Sequence, residues 1–126
     1  MKLEEILKTV NKVHPLISKD NNCTAKVECY HNIYERLSGE KGMTGEVCAH
    51  AEYDWSNNKI YLYTSRLHSA EDIIRALIHE CVHSTQSKVI FDQYYKEGFT
   101  YDNHPYEIEA RNAEEEWKIY LNELNK

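Results

Sequence analysis

The feature that most constrains this chain is a pair of histidines four residues apart, with a glutamate directly after the first. The residues are His79, Glu80 and His83, in the order His-Glu-x-x-His. On an α-helix, residues four apart project from the same face, so both imidazoles can bind one metal ion. Glu80 is then placed to take a proton from a water at that metal. The motif predicts a helix with a metal site and a general base on one face.

The residues around this short motif matter, because composition alone produces it in roughly one chain of twenty. Ser69 and Asp72 have the spacing of a capping box, which predicts a helix start. The residues that follow give this helix a broad apolar surface: Ile73, Ile74, Leu77, Ile78, Cys81 and Val82. We expect a helix from Ser69 to about Phe91, with Cys81 on its buried side.

The composition bounds the class of protein. A chain of 126 residues predicts one domain, residues 1–126, with a single core. The net charge of −6 excludes a sequence-independent nucleic-acid binder, which needs a basic face. The sequence has no apolar run of the kind that a membrane span or a signal peptide needs. We therefore expect a cytoplasmic protein without a membrane partner.

The four cysteines are not spaced as metal ligands. Cys23, Cys29, Cys48 and Cys81 form no Cys-x-x-Cys pair, which argues against a cysteine zinc site. In a reducing compartment we expect them to be free and at least partly buried, and a Cys23–Cys29 disulfide is the alternative.

The N-terminal third predicts a helix followed by an ambiguous segment. Apolar residues recur at helical spacing from about Leu3 to Ile17, and Pro15 is expected to end this helix or to lie just past its end. Residues 24–30 fit either a strand or the start of a helix that runs to Leu37. The alternation of residue types does not decide between the two.

A β-hairpin is predicted directly before the motif helix. Residues 45–54 and 59–64 alternate in polarity, and residues 55–58 form a turn that ends in two asparagines. An edge strand of such a hairpin can bind an extended peptide through main-chain hydrogen bonds. An ordinary core hairpin fits the same pattern.

The C-terminal third predicts a loop and a last helix. Residues 92–104 read as a loop or a ragged helix end, whose tyrosines and His104 are candidates for stabilising an oxyanion. Pro105 then opens a helix at its favoured first position. Glu107 and Glu109 border the apolar stripe of this helix equally, so periodicity leaves open which of them faces the metal. Residues 114–116 are three glutamates that we expect on a solvated face.

The order of hairpin, motif helix and glutamate-bearing helix resembles the zincin metallopeptidases of the gluzincin type. The likeness is greatest to the minigluzincins and to compact zincin domains of bacteria, phages and mobile elements, and covers roughly residues 45–121. It implies an α+β, zincin-like fold with a small twisted sheet. In such a fold the hairpin packs on the active-site helix, between an N-terminal helix and a C-terminal glutamate-bearing helix.

The second motif of that family is Glu-x-x-Ala followed by Asp or Asn. Glu107 and Ala110 match it, whereas Arg111 stands at the Asp or Asn position. The separation from His83 to Glu107, 107 − 83 = 24 residues, is within the family's range. The resemblance implies one zinc ion bound by His79, His83 and Glu107.

The implied activity is that of a zinc metalloendopeptidase acting on a peptide or protein substrate. Glu80 would be the general base and then the proton donor, and the strand around residues 49–53 would be the edge of the substrate cleft. The alternative is a non-peptidase zincin-like binding or inhibitor module of a mobile element. Arg111 favours it, as do the few residues after Glu107, 126 − 107 = 19.

Overall fold

The structure of the chain is a computed structural model that describes residues 1–38 and 49–126. Its helices and small mixed sheet make the fold class α+β, as predicted. The helices are α1 Leu3–Asp20, α2 Ile33–Ser38, α3 Ala70–Ser84, α4 Lys88–Lys96, α5 Pro105–Ala113 and α6 Trp117–Leu124. The strands are β1 Lys26–Tyr30, β2 Ala51–Asp54 and β3 Lys59–Tyr63, and short 3-10 turns span Thr64–Arg66 and Glu114–Glu116.

The three described strands lie in the order β1-β3-β2. The central strand β3 pairs in parallel with β1 and antiparallel with β2. The predicted hairpin is therefore confirmed for β2 and β3, and Asn58 in its turn has a φ of 52°, which asparagine tolerates. The predicted residues 45–48 lie outside the described residues. Among the described strands, β2 is an edge.

Helix α1 is longer than predicted, and Pro15 neither ends it nor follows it. The helix continues to Asp20 with Pro15 inside. The missing N–H of Pro15 leaves the carbonyl of Asn11 without its helical donor, but both residues are exposed, so water can hydrate that carbonyl. Ile17, beyond the proline, is fully buried, and its burial favours the continued helix.

The ambiguous segment after α1 contains both alternatives in succession. Lys26–Tyr30 is a strand, and a separate helix begins at Ile33. Asn32 separates them, because its side-chain oxygen accepts a hydrogen bond from the Glu35 amide at 2.8 Å. This is a helix-start contact.

Helix α3 passes through the core with one apolar side. Ser69 caps it by accepting from the Asp72 amide, which confirms the predicted helix start. The Asp72 carboxylate accepts from the amide of His68, the residue before the cap, and not from Ser69 as in a capping box. Its back packs with the buried face of α1, the centre of the sheet and α6. Cys81 is fully buried there, as predicted. The three described cysteines, Cys23, Cys29 and Cys81, are free.

The predicted continuation of α3 to Phe91 is wrong. The helix ends at Ser84, where the hydroxyls of Ser84 and Thr85 bond back to the carbonyls of Cys81 and Val82. Such side-chain bonds to the backbone compete with a continuing helix. Ser87 then caps α4 by accepting from the Ile90 amide. Residues 88–96 are therefore a separate helix. Of the predicted loop, residues 92–104, only residues 97–104 lie outside a helix.

The last predicted helix is divided in two. Pro105 is at the start of α5, as predicted, but a 3-10 turn separates α5 from α6. The tighter turn changes which side chains face α3. No helix of the described ranges combines the length and the apolar character that crossing a membrane requires.

Candidate metal centre

Three side chains that sequence reasoning singled out converge on one point. Single ligand atoms from His79, His83 and Glu107 lie within 4.8 Å of one another. Nε2 of His79 is 3.3 Å from Oε1 of Glu107, and Nε2 of His83 contacts the same oxygen. All three side chains are buried. The structure therefore brings the predicted ligands together from α3 and α5.

Of the two glutamates left open by periodicity, Glu107 is the one beside the histidines. It is 5% exposed, whereas Glu109 is exposed to solvent. Helix α5 is fixed in this rotation at its first turn, where the His104 side chain accepts from the Tyr106 amide.

Both imidazole rings are oriented by a partner at Nδ1. Nδ1 of His79 is 2.7 Å from a carboxylate oxygen of Glu114, and Nδ1 of His83 is 2.7 Å from Oε1 of Gln86. The Gln86 amide nitrogen donates to the Tyr106 carbonyl, which leaves its oxygen as the acceptor. Each ring thus donates from Nδ1 and presents Nε2 to the centre, an arrangement typical of metal-binding histidines.

The charges of the metal-free centre are coupled. Burial would lower the pKa of His79, but its hydrogen bonds with Glu107 and Glu114 raise it. Burial would raise the pKa of Glu107, but its hydrogen bonds with His79 and His83 lower it. Without a metal ion, these pKa shifts favour a proton on His79 next to an ionised Glu107. A metal ion that binds there displaces the proton.

The donor set suits a transition metal. Two imidazole nitrogens and one carboxylate oxygen are the protein ligands of many catalytic zinc sites, which keep a fourth position for water. Other first-row metals accept the same ligands. The residues can hold a metal ion, and its identity as zinc stays a prediction.

Glu80 lies beside the three candidate ligands. It is 7% exposed and borders the same cleft. Burial raises the pKa of the Glu80 carboxyl, against the lowering effect of His79 and His83. A carboxylate with a raised pKa is a stronger base, as proton abstraction from water requires.

A cleft of about 840 Å³ opens over the centre. One wall is the edge strand β2 with the residues just before it, and Ala49 to Tyr53 all line the cleft. The opposite wall is the front of α3. At the His83 end, Trp55 and Phe91 lie with ring centroids 5.0 Å apart, and Phe91 is 5.4 Å from the His83 ring.

Residues 92–104 contribute less to the cleft than predicted. Among its tyrosines and His104, only Tyr101 lines the cleft. His104 is fully buried and bonds to the Phe91 carbonyl and the Tyr106 amide. It joins α4 to α5 and is not placed to stabilise an oxyanion.

Sequence reasoning missed the residues behind the histidines. The prediction of a solvated face is wrong for Glu114, whose side chain is 20% exposed and bonded to His79. Its separation of seven residues from Glu107, two helical turns, was the signal that could have found it. Among the described hydrogen bonds and ion pairs, Arg111 has none with a histidine. Its guanidinium donates to the carbonyls of Tyr101 and Asp102.

Comparisons with protein-family models, curated proteins and solved structures give no match to this chain. What can be inferred about function therefore depends on the residues of the centre and its cleft.

Proposed function

We propose that this chain is a zinc-dependent metallopeptidase of the zincin type, which hydrolyses peptide bonds with Glu80 as general base. The observation that carries the proposal is the convergence of His79, His83 and Glu107 next to Glu80 in a cleft bordered by an edge strand. A motif that arose by chance would not be expected to meet a third buried ligand.

The protein groups divide the chemistry between them. A zinc ion held by His79, His83 and Glu107 would lower the pKa of a water to about 7 and polarise the scissile carbonyl. Glu80 takes the proton of the attacking water and returns it to the leaving nitrogen. Its burial limits the access of bulk water to the carboxylate and raises the pKa of the Glu80 carboxyl.

The shape of the cleft suits an extended chain. Strand β2 has a partner on one side only among the described strands, so its other edge offers main-chain donors and acceptors to a peptide. The volume of about 840 Å³ lies within the range of ligand-binding sites. A peptide paired with β2 would place its backbone carbonyls along the front of α3.

Glu80→Gln tests this proposal directly. The variant keeps the shape of the side chain but removes the base. We expect it to retain one zinc ion per chain and to lose about 10²- to 10⁴-fold in cleavage rate. The measurement is mass spectrometry of an unfolded protein incubated with the zinc-loaded chain, and Glu109→Gln is the matched control, expected to cleave normally.

A different result would favour the binding or inhibitor module. If the zinc-loaded wild type cleaves nothing in a broad peptide library, the peptidase proposal is wrong while the metal site stands. If the wild type binds no zinc, the peptidase and the zinc-bearing module are both wrong.

A further inference from the structure

Glu114 connects the metal centre to a charge outside it. One carboxylate oxygen is 2.7 Å from Nδ1 of His79, and the other is 3.8 Å from the guanidinium of Arg75. Glu114 begins the 3-10 turn between α5 and α6. The break between these helices is thus where the carboxylate meets His79.

Arg75 is held in place by Glu71 and Trp117. It lies four residues before His79 on α3, so both side chains leave the same face. Its guanidinium donates to the Glu71 carboxylate at 2.8 Å and lies 5.5 Å from the centre of the Trp117 ring. Its position therefore does not depend on Glu114.

We propose that Glu114 is the positioning residue for the metal ligand His79, and that Arg75 fixes the Glu114 carboxylate. This inference rests on the metal site of the proposed function. By the resemblance, an Asp or Asn at position 111 would contact a zinc-bound histidine, and the inference gives that contact to Glu114. Arg111 cannot make that contact, because it is a cation bonded to two backbone carbonyls.

The physical reason is the hydrogen bond at Nδ1. A carboxylate that accepts this N–H fixes the rotation of the ring and makes Nε2 a stronger donor to a metal. Loss of such a partner typically costs about 10- to 100-fold in metal affinity. Glu115 provides a matched comparison, because it also lies 3.8 Å from Arg75 but is 75% exposed and has no contact with His79 among the described hydrogen bonds.

The test is a zinc competition titration against a chromophoric chelator, with the metal-free proteins checked by circular dichroism. We expect Glu114→Ala to weaken zinc binding by about 10- to 100-fold. Glu114→Gln should recover most of the affinity, since its amide oxygen can accept from His79, and Glu115→Ala should bind as the wild type does. The visible spectrum of the cobalt-saturated protein should change in Glu114→Ala and be restored in Glu114→Gln.

Arg75 is tested by a double-mutant cycle. If Arg75 acts through Glu114, Arg75→Gln weakens zinc binding in the wild type but adds nothing in the Glu114→Ala background. Additive losses would overturn the role of Arg75. Zinc affinity of Glu114→Ala or, should that variant not fold, of Glu114→Leu within about twofold of the wild type would overturn the whole inference. A wild type that binds no zinc would instead overturn the proposed function on which it rests.

Discussion

Both histidines of the centre turn Nε2 to Glu107 and Nδ1 to an acceptor, but their surroundings differ. His79 faces charged groups, with Glu114 at its Nδ1 and Arg75 behind that carboxylate. His83 faces a neutral amide and two aromatic rings, with Gln86 at its Nδ1 and the Trp55 and Phe91 rings at its side. One ligand is placed by charge and the other chiefly by packing.

This difference has a consequence for how each end of the cleft responds to substitution. A carboxylate accepts a stronger hydrogen bond than an amide does, so removing the acceptor altogether should cost more zinc affinity at the His79 end than at the His83 end. Aromatic packing depends on volume and contact, so truncating a ring at the His83 end should lower the free energy of unfolding.

Removing Glu107, which contacts both histidines, should lower zinc affinity the most. Glu107→Ala takes away the carboxylate that contacts both Nε2 atoms. We expect a loss of zinc affinity greater than the roughly 100-fold that an outer partner costs, measured by competition titration. Glu109→Ala, two residues on and exposed, should bind as the wild type. The reverse pattern would mean that the wrong glutamate has been assigned.

His104→Ala should destabilise the fold at the aromatic end. The substitution removes a helix cap and the side-chain donor to the Phe91 carbonyl, for a combined cost of about 2–4 kcal/mol. Chemical denaturation of the metal-free protein measures it. His104→Asn should retain the cap and lose less. Equal stability of His104→Ala and the wild type would show that α4 and α5 are not joined at this residue.

Phe91→Ala should lower the stability of the fold while leaving zinc affinity nearly unchanged. Phe91 is half-buried and contacts the rings of Trp55, His83 and His104, so we expect a loss of about 1–2 kcal/mol in unfolding free energy. Zinc affinity should change only a few-fold, because Gln86 still orients His83. Val89→Ala is the control on the same helix, since Val89 is 78% exposed and should be neutral. A Phe91→Ala protein as stable as Val89→Ala would contradict the packing role of α4.

Gln86→Ala should lower zinc affinity less than Glu114→Ala does. The acceptor at His83 is an uncharged amide rather than a carboxylate, and the rings of Trp55 and Phe91 still confine the imidazole. We expect at most about a 10-fold loss of zinc affinity, at the low end for an outer partner. The titration should rank Gln86→Ala below Glu114→Ala. A larger loss in Gln86→Ala would invert the comparison between the two ends.

The features that were predictable from the sequence depend on local periodicity. The polar front and apolar back of α3 follow from residue spacing, as do the buried Cys81 and the start of α5 at Pro105. The meeting of Glu107 with His79 was anticipated by resemblance, since periodicity placed Glu107 and Glu109 equally.

The features that were not predictable depend on tertiary contacts and on breaks in helices. The end of α3 at Ser84 is set by hydroxyl bonds to the backbone, which a hydrophobic pattern does not include. Burial of Ile17 overrides the local preference of Pro15. Glu114 was grouped with two other glutamates as a solvated face, although its spacing of two helical turns from Glu107 places it on the side that meets His79.

The most direct test of the account is the position of zinc in a crystal of the chain grown with one equivalent of the metal. Anomalous diffraction collected at the zinc absorption edge locates the ion independently of the protein model. We expect one strong peak, bonded to Nε2 of His79, Nε2 of His83 and the Glu107 carboxylate. A peak at other residues, or none at this centre, would contradict the assignment of the metal site.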